Sequence, residues 1–162
     1  MNARHLLVAA TLVLASCSNG TAPHAAQASA TASANAAANA SAEATVDGVV
    51  VHASTIANSD LNDISARRYG ISREGNALFL LVTVRDEHGN AVPADAVQLT
   101  AQSAVLPDAL APLRLLPITT DGMTDYIATV AAKPPASVQF RIDVRKGGAN
   151  ATMAFTRDLL PR

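Results

Sequence analysis

SVQFRIDVR, residues 137–145, alternates without interruption: Val138, Phe140, Ile142 and Val144 fall on one face, Gln139, Arg141, Asp143 and Arg145 on the other. A strict period of two is the signature of a strand with one face in a core and one in water. A second stretch, ALFLLVTVR at residues 77–85, is apolar on both faces, so it predicts a central strand covered on both sides. It ends in Asp86-Glu87-His88-Gly89-Asn90, a polar turn with Gly and Asn available for positive φ.

Working outward from these two, further strands are predicted over residues 48–53, 97–103, 113–118, 125–131 and 151–157. Pro107, Pro112, Asp121-Gly122, Pro134-Pro135 and Gly147-Gly148 punctuate them. About seven short strands separated by turn signals predict an all-β fold, an immunoglobulin-like antiparallel β-sandwich without the disulfide; a partly open barrel is the competing arrangement. One segment departs from the period of two. SDLNDISARRYG, residues 59–70, offers Ser59 or Asp60 as N-cap and Asp63 in a first turn. Leu61 and Ile64 share one face, Arg67 and Arg68 fall in the last turn, and Gly70 serves as C-cap. A single short helix crossing between the first two strands is predicted there.

Residues 46–162 suffice for one domain and are too few for two. Ahead of them, residues 18–45 read SNGTAPHAAQASATASANAAANASAEAT, with no Val, Ile, Leu or aromatic residue and Glu43 as the one charge. Such a tract cannot bury enough apolar surface to offset the entropy of ordering, so a disordered linker is expected, spanning roughly 30 Å as a coil and about 90 Å fully extended.

The first residues carry Arg4, then the apolar run LLVAATLVL at residues 6–14, then Ala15, Ser16 and Cys17. A basic head, a short apolar stretch and small residues make a secretory signal, and the stretch is shorter than the ~20 residues a membrane-spanning helix needs. Leu14-Ala15-Ser16-Cys17 resembles the lipobox of bacterial lipoproteins. The resemblance implies a signal peptide over residues 1–16, acylation of Cys17 as the mature N-terminus, and a lipidated linker over residues 17–45. A residue other than aspartate after the cysteine, here Ser18, further implies sorting to the outer membrane. Cleavage near residues 15–22 with Cys17 incidental would instead leave a soluble periplasmic protein. Cys17 is the only cysteine, so no internal disulfide can form and the domain must stand on packing.

VVVHASTIANSDL, ISARRYGISREGNALFLLVTV, TDYIATV and VQFRIDVRKGG resemble an uncharacterised family of small exported Gram-negative proteins defined as a domain of unknown function. The family features fall on Val51-His52, Tyr69-Gly70-Ile71, the apolar strand of residues 79–84, Tyr126, and Phe140-Arg141-Ile142-Asp143-Val144. The resemblance implies export and a β-sandwich, and it implies no activity.

Charge and composition narrow the partners. Twelve Lys and Arg against thirteen Asp and Glu give a net charge of −1, with the basic residues scattered, so nucleic acid is not an expected partner. Two tyrosines and three phenylalanines speak against an aromatic stacking platform. His52 and His88 are the only imidazoles beyond the linker. They cannot make a three-histidine zinc site, and neither metal nor cofactor is expected. His52, Ser59 and Asp60 could be grouped as a catalytic set, but no nucleophile-elbow motif accompanies them, and no catalytic residue is assigned.

His52 is expected at a strand end with its ring bonded to a backbone carbonyl. Arg67, Arg68 and Arg73 beside Tyr69 read as a solvated helix end, or as an anion patch. The tyrosines Tyr69 and Tyr126 are expected in the core with hydroxyls at the edge. Leu106, Leu110, Leu113, Leu115 and Leu116 read as a core lid, or as an apolar rim suited to a protein partner. The reading overall is a non-enzymatic cell-envelope lipoprotein, held to the membrane through Cys17, whose sandwich is an interaction or scaffolding module for an envelope protein. The alternative is a soluble periplasmic small-ligand binder with a pocket near His52, Arg68 and Tyr69.

Overall fold

Residues 137–145 fold as the sequence predicts: they form the centre of an 11-residue strand whose four apolar side chains, Val138, Phe140, Ile142 and Val144, are fully buried. A computed structural model describes residues 41–161. The signal, Cys17, and linker residues 17–40 lie outside the described residues.

Among the described residues nine strands build two antiparallel sheets: β1 Ser41–Val46, β2 Val49–Ala57, β3 Ala77–Asp86, β4 Gln98–Val105, β5 Ala111–Leu113, β6 Leu116–Thr120, β7 Met123–Ala131, β8 Ala136–Lys146 and β9 Ala149–Leu159. One sheet has the order β1-β2-β3-β7-β6 and the other β5-β4-β8-β9. Their inner faces make one core, with Val51, Leu78, Leu80 and Val82 on one side and Val138, Phe140, Ile142, Val144 and Met153 on the other. The described residues form an all-β sandwich with one short α-helix.

Strand β3 is central, as its two apolar faces predict. Leu78, Leu80, Val82 and Val84 enter the core, and Phe79 on the opposite face is covered by helix α1, Asp63–Tyr69. The helix starts later than the sequence suggests. Asn58–Asp60 forms a 3-10 turn, and the N-cap is Asn62, whose side chain accepts from the Ser65 N–H at 2.8 Å. Neither Ser59 nor Asp60 caps it. Gly70 closes the C-terminus with φ of 64°, and its N–H and that of Ile71 return to Arg67 and Ala66 carbonyls. Leu61 is buried beneath the helix, whereas Ile64 faces outward, 74% exposed: seven residues make about two turns, and Ala66 occupies the covered side instead.

Two further expectations are corrected. Residues 113–118 are not one strand: β5 belongs to the four-stranded sheet and β6 to the five-stranded one, and the chain changes sheets at Arg114 and Leu115. Residues 41–45 are strand and not linker. They pair with β2 from Ser41↔Ser54 to Val46↔Val49. The cause is Asp47-Gly48: both residues have positive φ, 45° and 74°, as a two-residue type I′ hairpin requires. Asp121-Gly122 makes the same kind of turn between β6 and β7, with φ of 53° and 78°.

The two ends of the sandwich differ. One carries the tight hairpin turns, and Lys146 there donates to the Asp47 carbonyl at 2.6 Å with the Asp47 carboxylate at 3.3 Å, linking the two sheets. Asp86 organises the turn after β3, accepting from the N–H groups of His88 and Asn90 and from the Asn90 amide, all at 2.8 Å. These bonds, the Asn90 side chain first, hold its carboxyl below the usual value. The other end carries α1, the β7–β8 connection and the turn after β4. Strand β1 starts and β9 finishes at that end.

Tyr126 on β7 packs against the core with its hydroxyl 3.4 Å from the Ala94 carbonyl, at the edge as the sequence suggests. Burial raises its pKa above the ordinary 10.0. The folded chain therefore holds the phenol proton more tightly than the unfolded chain does. The resulting stability is fully present below pH 10.0 and is lost as pH rises through the folded-state pKa. Urea titrations between pH 9 and 11 are expected to show a steeper stability loss for wild type than for Tyr126→Phe; parallel profiles would remove Tyr126 as the cause.

Candidate functional site

Strand pairing places a row of polar side chains across the outer face of the five-stranded sheet. Glu43 on β1 is opposite His52 on β2, His52 is opposite Thr83 on β3, and Thr83 is opposite Asp125 on β7. Directly paired residues in adjacent strands project to one side, with strands about 4.8 Å apart. His52 is mid-strand, not at a strand end, and its Nδ1 is 3.7 Å from Glu43 Oε2. Among the described residues no carbonyl holds the ring; the partner is a carboxylate from residues that composition alone assigns to the linker. The contact becomes an ion pair when the imidazole is protonated.

Asp125 is occupied from the other direction. Arg85 Nη2 donates to its Oδ1 at 2.6 Å, while Nη1 donates to the Val84 carbonyl at 2.7 Å and to the Thr124 carbonyl at 3.4 Å. The two side chains are 20% and 18% exposed, the most buried of the ion pairs among the described residues. The row therefore offers an exposed imidazole–carboxylate contact at one side and a more buried, neutralised ion pair at the other.

Beyond this row the same face is apolar and covered. Leu61, Ala66, Phe79 and Ile127 form a second cluster, extended by Ile56, Tyr69, Ile71, Leu81 and Ile118. Tyr69 lies against Phe79, with ring centroids 5.3 Å apart. Where the helix exits, Asn58 donates to the Ser72 carbonyl at 3.0 Å, and its buried Oδ1 has no hydrogen-bond partner among the described residues. A shallow cleft of about 450 Å³ opens there, walled by Asp63, Arg67, Arg73 and Glu74 with Gly70 and Ile71 between. Arg73 is not free to receive an anion: it pairs with Asp63 and its Nη2 is 3.4 Å from the Ser59 carbonyl. Asp63 is thus an ion-pair partner in the first helical turn.

The sequence-predicted binding residues are divided between these regions. Arg68 and Tyr69 are neighbours on α1. His52 lies four residues along β2 from Ile56, which pairs with Phe79, so about 13 Å of strand separates it from the ring beneath Tyr69. The cleft is lined by none of His52, Arg68 and Tyr69. Of the leucines, Leu113 and Leu115 pack on the core, Leu110 is half-buried, and Leu106 and Leu116 are exposed. Among the described residues no three His, Cys, Asp or Glu side chains could together hold a metal ion, and no helix is long and apolar enough to cross a membrane.

Fold and surface together define a small β-sandwich domain with a polar row on one outer face and a helix-covered apolar patch beside it. The chain belongs to the DUF4426 family, a domain of unknown function, whose family model matches residues 43–161. A crystal structure of a DUF4426 family protein from Pseudomonas aeruginosa PAO1 is similar, with a TM-score of 0.57 over 76% of this chain and 97% of that one at 17% identity. That likeness is one of fold. No functionally curated protein matches the chain.

Proposed function

We propose that this DUF4426 protein is a non-enzymatic cell-envelope lipoprotein. Cys17 anchors it in the outer membrane, and the sandwich faces the periplasm as an interaction or scaffolding module. The observation that carries this reading is the sequence Leu14-Ala15-Ser16-Cys17 behind Arg4 and the apolar residues 6–14. Acyl chains on that thiol contribute about 0.8 kcal/mol per buried CH₂, and more than one chain holds a protein stably on a membrane. The separation of Cys17 from Ser41, 24 positions, supports it by leaving covalent reach of up to about 80 Å between anchor and domain. The expected partner is an envelope protein within that reach, with the exposed Leu106 and Leu116 as its apolar contact points.

The test is the intact mass of protein from the membrane fraction, wild type beside Cys17→Ser. The expected wild-type mass starts at residue 17 and includes acyl chains, and the substitution moves the protein to the soluble fraction. An unacylated wild-type mass in the soluble periplasm would end the lipoprotein reading.

A further inference from the structure

Alternation along β9 turns Arg157 inward. It shares a strand face with Met153, Phe155 and Leu159, all buried, while Thr156 and Asp158 on either side of it are exposed. Its partner across the ladder is Val138, fully buried on β8. The Arg157 Nε is buried and has no hydrogen-bond partner among the described residues. Nor does the guanidinium enter any of their five ion pairs. The adjacent carboxylate does not serve it: Asp158 lies on the opposite face and accepts from the Ser137 hydroxyl at 2.5 Å. On the neighbouring strand β1 the side chains that pack on the core are Ala42, Ala44 and Val46, which offer no acceptor.

A cation drawn out of water without a counter-charge is costly, and buried donors left unpaired are rare in folded chains. An inward charge on a border strand discourages pairing with a foreign strand, which accounts for a charge at this place. It does not account for an arginine. Lysine would carry its charge at the tip of a flexible stem, in water, whereas arginine sets Nε–H ahead of the fork, inside the apolar layer. Nε–H and one Nη–H together match the two oxygens of a carboxylate. Strand β9 is the last of its sheet, so the half-buried guanidinium is reachable from the border. The surroundings select the ligand. A flat monoanion on an apolar stem suits one cation set beside Val138, Phe155 and Leu159. A phosphate dianion brings a second charge, and the inner faces of β8 and β9 carry no other cation at this end.

We propose that Arg157 is the receptor for a carboxylate on a short apolar stem, which enters at the border of the sandwich and closes the Nε–Nη fork. The site lies apart from the lipid anchor and does not depend on it. Octanoate added to the full-length protein at neutral pH, where the acid is ionised, tests it. The readout is the NMR resonance of the Arg157 Nε–H, identified by its loss in Arg157→Met. The expected result is a saturable downfield shift with octanoate, none with octan-1-ol or with equal sodium chloride, and a smaller one with phosphate. No shift with octanoate, or a larger response to phosphate, would overturn the assignment. Without ligand, Arg157→Met is expected to unfold at the same urea concentration as wild type or a higher one, since it removes an unpaired charge and keeps an apolar stem. A markedly lower midpoint would show that the guanidinium already has its partner in the free protein, and would equally overturn the proposal.

Discussion

Phe140→Ala is expected to lower the unfolding free energy by about 3–5 kcal/mol, a large share of the ~5–15 kcal/mol typical of a domain. Phe140 is fully buried on the centre of β8 and stacks on Phe155 of β9 at 5.2 Å between centroids. The cost depends on whether neighbours can refill the space. The core around it is built largely of valine, alanine and leucine, and several buried positions are alanines: Ala53, Ala101 and Ala128. Side chains that short cannot swing into the gap, so the cavity term adds in full to the lost transfer energy. Urea unfolding at neutral pH measures it, and a loss below about 1.5 kcal/mol would mean that the two sheets close on the vacated space. Phe140→Leu, which keeps most of the volume, is expected to cost far less.

The second large effect belongs to the Arg85–Asp125 pair. Asp125→Ala is expected to destabilise by about 2 kcal/mol, less than the 3–5 kcal/mol of a fully buried pair because both side chains retain some solvent contact. The loss arises mainly from Arg85, left with two carbonyl contacts and no counter-charge in a half-buried site. The double variant Arg85→Met with Asp125→Leu should therefore recover much of that loss, since neither charge then remains. A double-mutant cycle separates the outcomes, and strictly additive single effects would show that the two residues act independently.

What the sequence made legible follows from the range of each interaction. Strands β3 and β8 announce themselves because their alternation reports burial residue by residue, and both match within a residue or two. Asp121-Gly122 and Gly147-Gly148 likewise sit at real hairpin turns. Strand β1 was hidden by composition: SAEAT at residues 41–45 continues the alanine and serine of the preceding tract, and only Asp47-Gly48 betrays a hairpin. With β1 unseen, Glu43 could not be placed beside His52, so the polar row was unreadable. Its four members come from four strands, and register across strands is set by turn geometry and packing over long separations. The jump between sheets at Arg114 and Leu115 was hidden for the same reason: one run of leucines carries no mark of which sheet each will join. The helix was legible in kind and in its Gly70 exit, whereas its start depended on a choice among Ser59, Asp60 and Asn62 that local preference does not decide.

The change of sheets between β5 and β6 also protects the fold from its own copies. A sandwich with open borders presents unpaired N–H and C=O groups that template edge-to-edge pairing and aggregation. Here one border is divided into a three-residue strand and a five-residue strand, and each contains a proline, Pro112 and Pro117, that removes a donor from the ladder. At the other border β1 lies alongside β9, so neither offers a clear landing for a foreign strand. Copies of the domain at high concentration can thereby remain a collection of separate molecules, their borders closed to polymerisation while their faces stay open to contact.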